Sequence, residues 1–199
     1  QPYIAQKIIT LMLLVQSIIE APVIFALLVA LLIKTRIYDA MTIFEGIKLA
    51  GAGLVMAVGS IGPSIGQAIF VNASCKALGL NKDSYGKLLP FSLMSQAVIE
   101  TPLIFSLIIS ALLIYKPISQ DLPLTTAIVS LVIAFVVGVG TGGAAISSGY
   151  TASKSVKYVA LDVKSYGLLL RTTLLGQAII ESSAIYALIV GLILITKLI

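Results

Sequence analysis

One phrase occurs three times in this chain, each time in the middle of a long apolar run. It reads Gln-Ser-Ile-Ile-Glu-Ala-Pro at 16–22, Gln-Ala-Val-Ile-Glu-Thr-Pro at 96–102 and Gln-Ala-Ile-Ile-Glu-Ser-Ser at 177–183. Each copy sets one carboxylate (Glu20, Glu100 or Glu181) among aliphatic residues with no basic residue beside it. The runs are long enough to cross a bilayer, which takes about 20 apolar residues at about 1.5 Å of rise each. A carboxyl at the centre of a membrane helix costs about 3 kcal/mol on insertion scales, so it points to function before packing. Three at matching positions make chance a poor explanation.

Composition agrees with a membrane setting. Hydrophobic residues make up 59% of the chain, charged residues only 11%, and the mean hydropathy is +1.11. An ordinary soluble domain does not tolerate that balance, so the fold class expected is an all-α integral membrane protein. Of 8 acidic residues, three are the glutamates already named, and the net charge of +5 comes mostly from loop lysines. That excess suits a cytoplasmic membrane surface and gives no support for nucleic acid as a partner. A single cysteine, Cys75, and the absence of histidine exclude an internal disulfide and metal sites of the Cys/His kind. The first apolar run lacks a small-residue cleavage site and carries Glu20, so it reads as a span and not as a signal peptide.

Five stretches qualify as spans: 7–32, 43–78, 85–115, 124–156 and 166–196. The second, as one helix, would run about 50 Å and project beyond the hydrocarbon. The links at 34–40, 79–84, 116–123 and 157–165 are short and polar, which makes consecutive helices antiparallel neighbours. A shift of 81 residues lays Gln177 on Gln96, Glu181 on Glu100, Tyr166-Gly167 on Tyr85-Gly86 and Gly140 on Gly59 without a gap. A shift of 80 lays Gln16 and Glu20 on Gln96 and Glu100, and Lys7 on Lys87. The expected organisation is therefore tandem transmembrane hairpins. Residues 1–36 form the second helix of hairpin one, 37–116 hairpin two and 117–199 hairpin three. Hairpin one lacks its first helix in this sequence, and a preceding helix is expected to complete it.

Basic residues orient the spans. Lys76, Lys82, Lys87, Lys154, Lys157, Lys164 and Arg171 flank the loops within hairpins two and three, against Lys34, Arg36, Lys48, Lys116 and Lys197 on the other side. The bias places the hairpin loops in the cytoplasm.

The two kinds of helix differ in chemistry. The helices before each loop carry Gly51, Gly53, Gly59, Gly62 and Gly66, and then Gly138, Gly140, Gly142, Gly143 and Gly149. In lipid, close backbone approach through small residues holds helices together. Glycines on several faces predict a helix crowded on both sides, as in the inner wall of a ring; ordinary pairwise packing accounts for one face only. The GxGxxG match at 138–143 lacks the preceding strand of a dinucleotide site, and 59–66 lacks the Lys-Ser/Thr of a phosphate loop.

The helices after each loop carry the glutamates. Proline frees the carbonyl four residues earlier, so Pro22 frees Ile18 and Pro102 frees Val98, each two before a glutamate. A freed carbonyl in lipid needs a donor or a cation. With the carboxylate and, in the second copy, the Thr101 hydroxyl, it makes an oxygen cage suited to a small monovalent cation. The alternative is a kink whose carbonyl a neighbouring side chain satisfies. The third copy has no proline but offers Ser182, Ser183 and Tyr186, where the others have Phe25 and Phe105 in the tyrosine's place.

These residues together resemble the c subunit, or proteolipid, of rotary ATP synthases, F-type in its motifs and fused in the manner of V-type proteolipids. Residues 51–53 and 59–67 look like the family's glycine-rich first helix, and 176–186 like its ion-binding second helix. Gln1-Pro2 looks like the tail of its polar loop. In sodium-binding members a first-helix glutamine and the second-helix glutamate hold the ion, and Gln67 and Glu100 match these with the family's separation of 33 residues. A neighbouring hairpin supplies a carbonyl and a hydroxyl. Val98 with Thr101 and Ile179 with Ser182 fit those roles, while Ile18 fits the carbonyl and Ala21 has no hydroxyl. Tyr186 matches the latching tyrosine. Ser148 stands where hairpin three should have the glutamine, which argues against Na⁺ at Glu181.

The resemblance implies a non-catalytic rotor subunit within a homo- or hetero-oligomeric c-ring. Each glutamate binds H⁺ or Na⁺ while facing lipid and exchanges it at a stator a subunit, whose arginine prevents return without exchange. The cytoplasmic loops turn central-stalk subunits. No cofactor is implied, and the transported ion is the only ligand; Gln67, Thr101, Ser182 and Tyr186 lean towards Na⁺, with Gln67, Glu100, Ile179 and Ser182 as its ligands. The implied location is the plasma membrane of a bacterium or archaeon. A stand-alone cation channel or carrier built from helical repeats is the alternative, although such proteins favour broken helices over unbroken hairpins. A purely structural scaffold leaves the three glutamates unexplained.

Overall fold

The structure, a computed structural model, describes residues 4–38, 41–117 and 123–196; Gln1, Pro2 and Lys197 lie outside them. Six α-helices follow in order: α1 (Ala5–Ile19), α2 (Ala21–Lys34), α3 (Ile43–Leu80), α4 (Tyr85–Tyr115), α5 (Pro123–Leu161) and α6 (Tyr166–Thr196). With α1 and α2 taken as one 30-residue span, five stretches among the described residues are long and apolar enough to cross a membrane. All-helical structure satisfies the backbone polar groups within each span, as hydrocarbon requires. The expected spans at 85–115 and 166–196 coincide with α4 and α6.

Several helices run past the expected bounds, α3 to Leu80 and the first span from Ala5 to Lys34, and two differences have a visible cause. The last link was expected to begin at 157, yet α5 continues to Leu161. Its final turn is held from outside, because Asn81 Nδ2 donates to the Ala160 carbonyl over 2.8 Å. The first span was expected to be one helix, but it breaks at Glu20, with Pro22 in the first turn of α2. Pro102 removes the same hydrogen bond from α4 without breaking it. The difference lies in support: α4 packs against α3, α5, α6 and the α1–α2 span, whereas that first span packs mainly on α3 and α4.

The helices make two layers. In one, α3 and α5 lie side by side along a seam of glycines. A Cβ on Gly62 would collide with the Gly142 backbone, and a Cβ on Gly149 with the Gly66 backbone. Helix α4 and α6 form the other layer with the α1–α2 span. Within hairpins the packing repeats: Gly59 leaves room for Ser106, and 81 residues later Gly140 leaves room for Ala187.

The two hairpin loops are copies. Asn81 Oδ1 accepts from the Asp83 N–H at 3.0 Å, and Asp162 Oδ1 accepts from the Lys164 N–H at 3.1 Å. Each leads through a single 3₁₀ turn, Lys82–Ser84 or Val163–Ser165, into the next helix. At the other end, Thr42 and Glu45 form a reciprocal capping box that starts α3. The Tyr38 hydroxyl donates to Glu45 at 2.9 Å, and this bond to a carboxylate raises the Tyr38 pKa above the ordinary phenol value.

Two apolar clusters fill the interior. One contains Val55, Leu103, Ile109, Leu113, Ile133 and Val137. The other contains Leu11, Val15, Phe70, Phe91, Val156 and Val159, with the Phe70 and Phe91 rings 6.4 Å apart. Glu100 falls between Ile99 of the second cluster and Leu103 of the first. The glutamate level is thus the boundary between two packed layers of side chains.

Candidate ion-binding sites

The glutamate-bearing helices are locked in register by their glutamines. Gln96 Nε2 on α4 donates to the Val15 carbonyl on α1 at 3.3 Å. Gln177 Nε2 on α6 donates to the Ser95 carbonyl on α4 at 3.2 Å. The second bond is the first moved on by one repeat, so α1, α4 and α6 succeed one another by a single recurring step. Cations repeat the pattern near the hairpin loops: Lys7 lies over the Tyr85 ring at 5.6 Å and Lys87 over the Tyr166 ring at 5.1 Å. The sequence shows the glutamines as parts of a repeated phrase but not their role as inter-helix clamps.

That step sets Glu181 beside the preceding outer helix. The Thr101 hydroxyl on α4 lies close to the Glu181 carboxyl on α6, while its own hydrogen bond goes to the Ala97 carbonyl at 3.2 Å. The residue after one glutamate therefore meets the next glutamate along. Glu100 and Glu181 are partly buried, while Glu20, on the uncovered flank of the first span, is exposed.

The first-helix partners differ between hairpins. Gln67 on α3 is fully buried, and neither end of its side-chain amide has a hydrogen-bond partner among the described residues. Such a group is costly unless a ligand or a donor meets it. Its repeat equivalent, Ser148 on α5, is also fully buried but is engaged by Gln177 Nε2 at 3.0 Å. One carboxylate oxygen of Glu181 is buried and unpartnered.

The remaining candidates are placed as follows. Ile18 and Val98 are partly buried. The Ile179 carbonyl accepts from the Ser182 hydroxyl at 2.7 Å, so carbonyl and hydroxyl sit together on the outer face of α6. The Ser183 hydroxyl turns to the Ile180 carbonyl at 2.9 Å. Tyr186 is 66% exposed on the same helix. Among the described residues, no three His, Cys, Asp or Glu side chains gather as a metal centre would need. The oxygen sources at hand are single carboxylates, amides, hydroxyls and carbonyls, a donor set for a hard monovalent cation or a proton.

Fold and sites define an integral membrane protein of tandem helical hairpins with one carboxyl in each outer span, that of Glu181 beside the preceding outer helix. A family model for the ATP synthase c subunit matches residues 50–113 and again 131–194, more than half of the chain. The chain belongs to the ATP synthase c-subunit family, in a fused, multi-hairpin form. It is 39% identical to the ATP synthase c subunit of Dehalococcoides mccartyi over 69 residues, 35% of this chain and 91% of the relative. It is 42% identical to that of Alkaliphilus oremlandii over 65 residues, 33% of this chain and 73% of the relative. With that of Natranaerobius thermophilus it shares 34% over 76 residues, 38% of this chain and 85% of the relative. Each relative matches about the length of one hairpin.

Proposed function

We propose that this protein is a subunit of the rotor ring of an ATP synthase, and that Glu20, Glu100 and Glu181 each carry H⁺ or Na⁺ through the membrane. The observation that carries the reading is the recurring step from Gln96–Val15 to Gln177–Ser95. Contacts that repeat by a constant step close into a ring or extend without limit. Continued once more, the step sets the exposed Gln16 of a second copy against the Gly176 carbonyl of the first, and Ser182 of the first beside Glu20 of the second.

In this mechanism a glutamate faces lipid only when neutralised by its ion, because a bare carboxylate in hydrocarbon costs far more. At a stator subunit it gives up the ion to one aqueous path and takes another from the second. Net flow then turns the ring, and the loops at 81–84 and 162–165 pass the rotation to a central stalk. The chain acts as a translocating component, and nucleotide chemistry belongs to other subunits. The membrane is the plasma membrane of a bacterium or archaeon.

The sites are unequal. Glu100 has Gln67 in its own hairpin, but the recurring step brings it Ala21, which has no hydroxyl. Glu181 has the Thr101 hydroxyl, but its inner helix offers Ser148 already bonded to Gln177. Glu20 would receive Ser182 and the Ile179 carbonyl from a neighbouring copy. The buried, unpartnered Gln67 amide favours Na⁺ at Glu100.

Two measurements test this. Purification in mild detergent should yield a closed assembly of many hairpins; a stable monomer rejects the ring. Carbodiimide should label the glutamates, and millimolar Na⁺ at neutral pH should protect Glu100 more than Glu181. Equal labelling with and without Na⁺ would assign protons to Glu100.

A further inference from the structure

At the end of the spans away from the hairpin loops, a cavity of about 710 Å³ opens between the 34–42 link, the start of α3 and the end of α4. Arg36, Lys48 and Lys116 line it, against walls that include Phe44, Leu49 and Ile114. Lys48 is 6% exposed, the most deeply buried charged side chain among the described residues. Glu45 is the only acidic residue in the described lining, and its carboxylate is already engaged. One oxygen accepts from the Tyr38 hydroxyl at 2.9 Å, and the other from the Thr42 N–H at 2.8 Å and the Thr42 hydroxyl at 3.0 Å.

The cavity therefore gathers positive charge that Glu45 does not spend itself on. An ammonium has three donors, and the Lys116 carbonyl takes one from Lys48. A charge held out of water without a counter-ion is costly, and an anion beside it relieves the cost. Arg36 is held at the cavity by the Tyr115 ring, 4.4 Å from its guanidinium, and a guanidinium offers its donors as a fork that fits two oxygens of one anion. The start of α3 adds the positive end of a helix. The 81-residue shift lays Lys48 on Val129 and Glu45 on Thr126, so this arrangement stands apart from the repeat and occurs once per chain.

We propose that this cavity binds one small oxyanion of the phosphate class, held by Lys48 and Arg36 with Lys116 at its edge. Arg36 lies on the link after α2, Lys48 on α3 and Lys116 just past α4. One anion among them ties the first span to hairpin two at the end where no hairpin loop does so. The guanidinium fork favours an anion with several oxygens over chloride. The membrane glutamates take no part, so the test is read without transport and does not depend on whether copies close into a ring.

The full chain, purified in mild detergent in whatever oligomeric state it takes, is titrated with radiolabelled inorganic phosphate at constant ionic strength. Saturable binding of one phosphate per chain is expected, displaced by sulfate but not by the same concentration of chloride. Lys48→Met and Arg36→Gln should each weaken it about tenfold, the size of one charge-assisted hydrogen bond. Lys164→Gln, at the opposite end of the spans, should leave it unchanged. The comparison of phosphate with chloride on the unaltered chain decides the matter even if a variant fails to fold. No saturable binding, displacement by chloride as readily as by sulfate, or binding that survives both substitutions overturns the proposal. Asp39 and Asp121 lie in the links, outside the described residues. Binding that appears only in the Asp39→Asn, Asp121→Asn double variant would make one of these carboxylates the occupant, and binding that appears only after lipid is stripped away would make it a headgroup. Either result overturns a site for the free anion.

Discussion

Gln177 on α6 reaches two helices at once, donating its side-chain amide to the Ser95 carbonyl on α4 at 3.2 Å and to the Ser148 hydroxyl on α5 at 3.0 Å. It thereby ties hairpin three together and fastens it to hairpin two, four residues before Glu181. Gln177→Leu removes both bonds and keeps the bulk. Interhelical hydrogen bonds in membranes are worth about 0.6 kcal/mol each on average, so the variant should lose about 1 kcal/mol. Thermal dissociation of the assembly in detergent is the measurement, and an unchanged midpoint would show that the clamp carries no stability.

The neighbour relation between Thr101 and Glu181 crosses from one hairpin to the next. Thr101→Ala is therefore expected to alter Glu181 and leave Glu100 alone, although Glu100 is adjacent in sequence. Losing one hydroxyl contact in the membrane costs about 1 kcal/mol, or roughly a fivefold change in ion protection. Site-resolved carbodiimide labelling reads both glutamates in one sample. A change confined to Glu100 would contradict the register.

Two glycines on α3 and α5 should behave oppositely. Gly62→Ala drives a Cβ into the Gly142 backbone, which has no side chain to move aside. Overpacking of this kind costs about 1–3 kcal/mol, and here it parts α3 from α5. Gly143→Ala meets no atom within 4 Å and should change stability by less than about 1 kcal/mol. Yield of assembled protein after detergent extraction compares them directly.

Asp162 gives the loop of hairpin three a pH dependence that Asn81 cannot give hairpin two. The Ser165 hydroxyl, the backbone N–H groups of Lys164 and Ser165 and the Lys164 charge hold its carboxyl below the ordinary aspartate value. A depressed pKa stabilises the folded loop above the unfolded value of about 3.9, and that contribution is lost as pH falls through the folded value. Acidification below about pH 4 should therefore loosen 162–165 before 81–84. Amide exchange corrected for its intrinsic pH dependence reads this, and Asp162→Asn should abolish the difference between the loops.

Much of the protein is legible in the one-dimensional pattern because a membrane leaves few options. Backbone groups in lipid must pair locally, so apolar length alone locates the five spans, and α4 and α6 end where their flanking polar residues begin. The 81-residue repeat likewise announces the hairpins, since Gly59, Gln96 and Glu100 recur as Gly140, Gln177 and Glu181. Periodicity does not reach contacts made between copies. That α5 continues to Leu161 depends on Asn81 from the other loop, and that α4 runs straight through Pro102 while the first span breaks at Glu20 depends on what packs around each.

The sequence by itself determined a membrane protein of repeated hairpins, each with a carboxyl in the middle of an apolar run, because apolar length and periodic spacing are local properties of a chain. Only the tertiary structure decided which residues share a site. Gln96 and Gln177 set the outer helices in step, and that step brings Thr101 to Glu181. The physical reason is that register between helices comes from a few directional bonds and from glycine contacts between backbones. Those depend on which faces meet, and a glutamine or a glycine looks the same in the sequence whichever helix it touches.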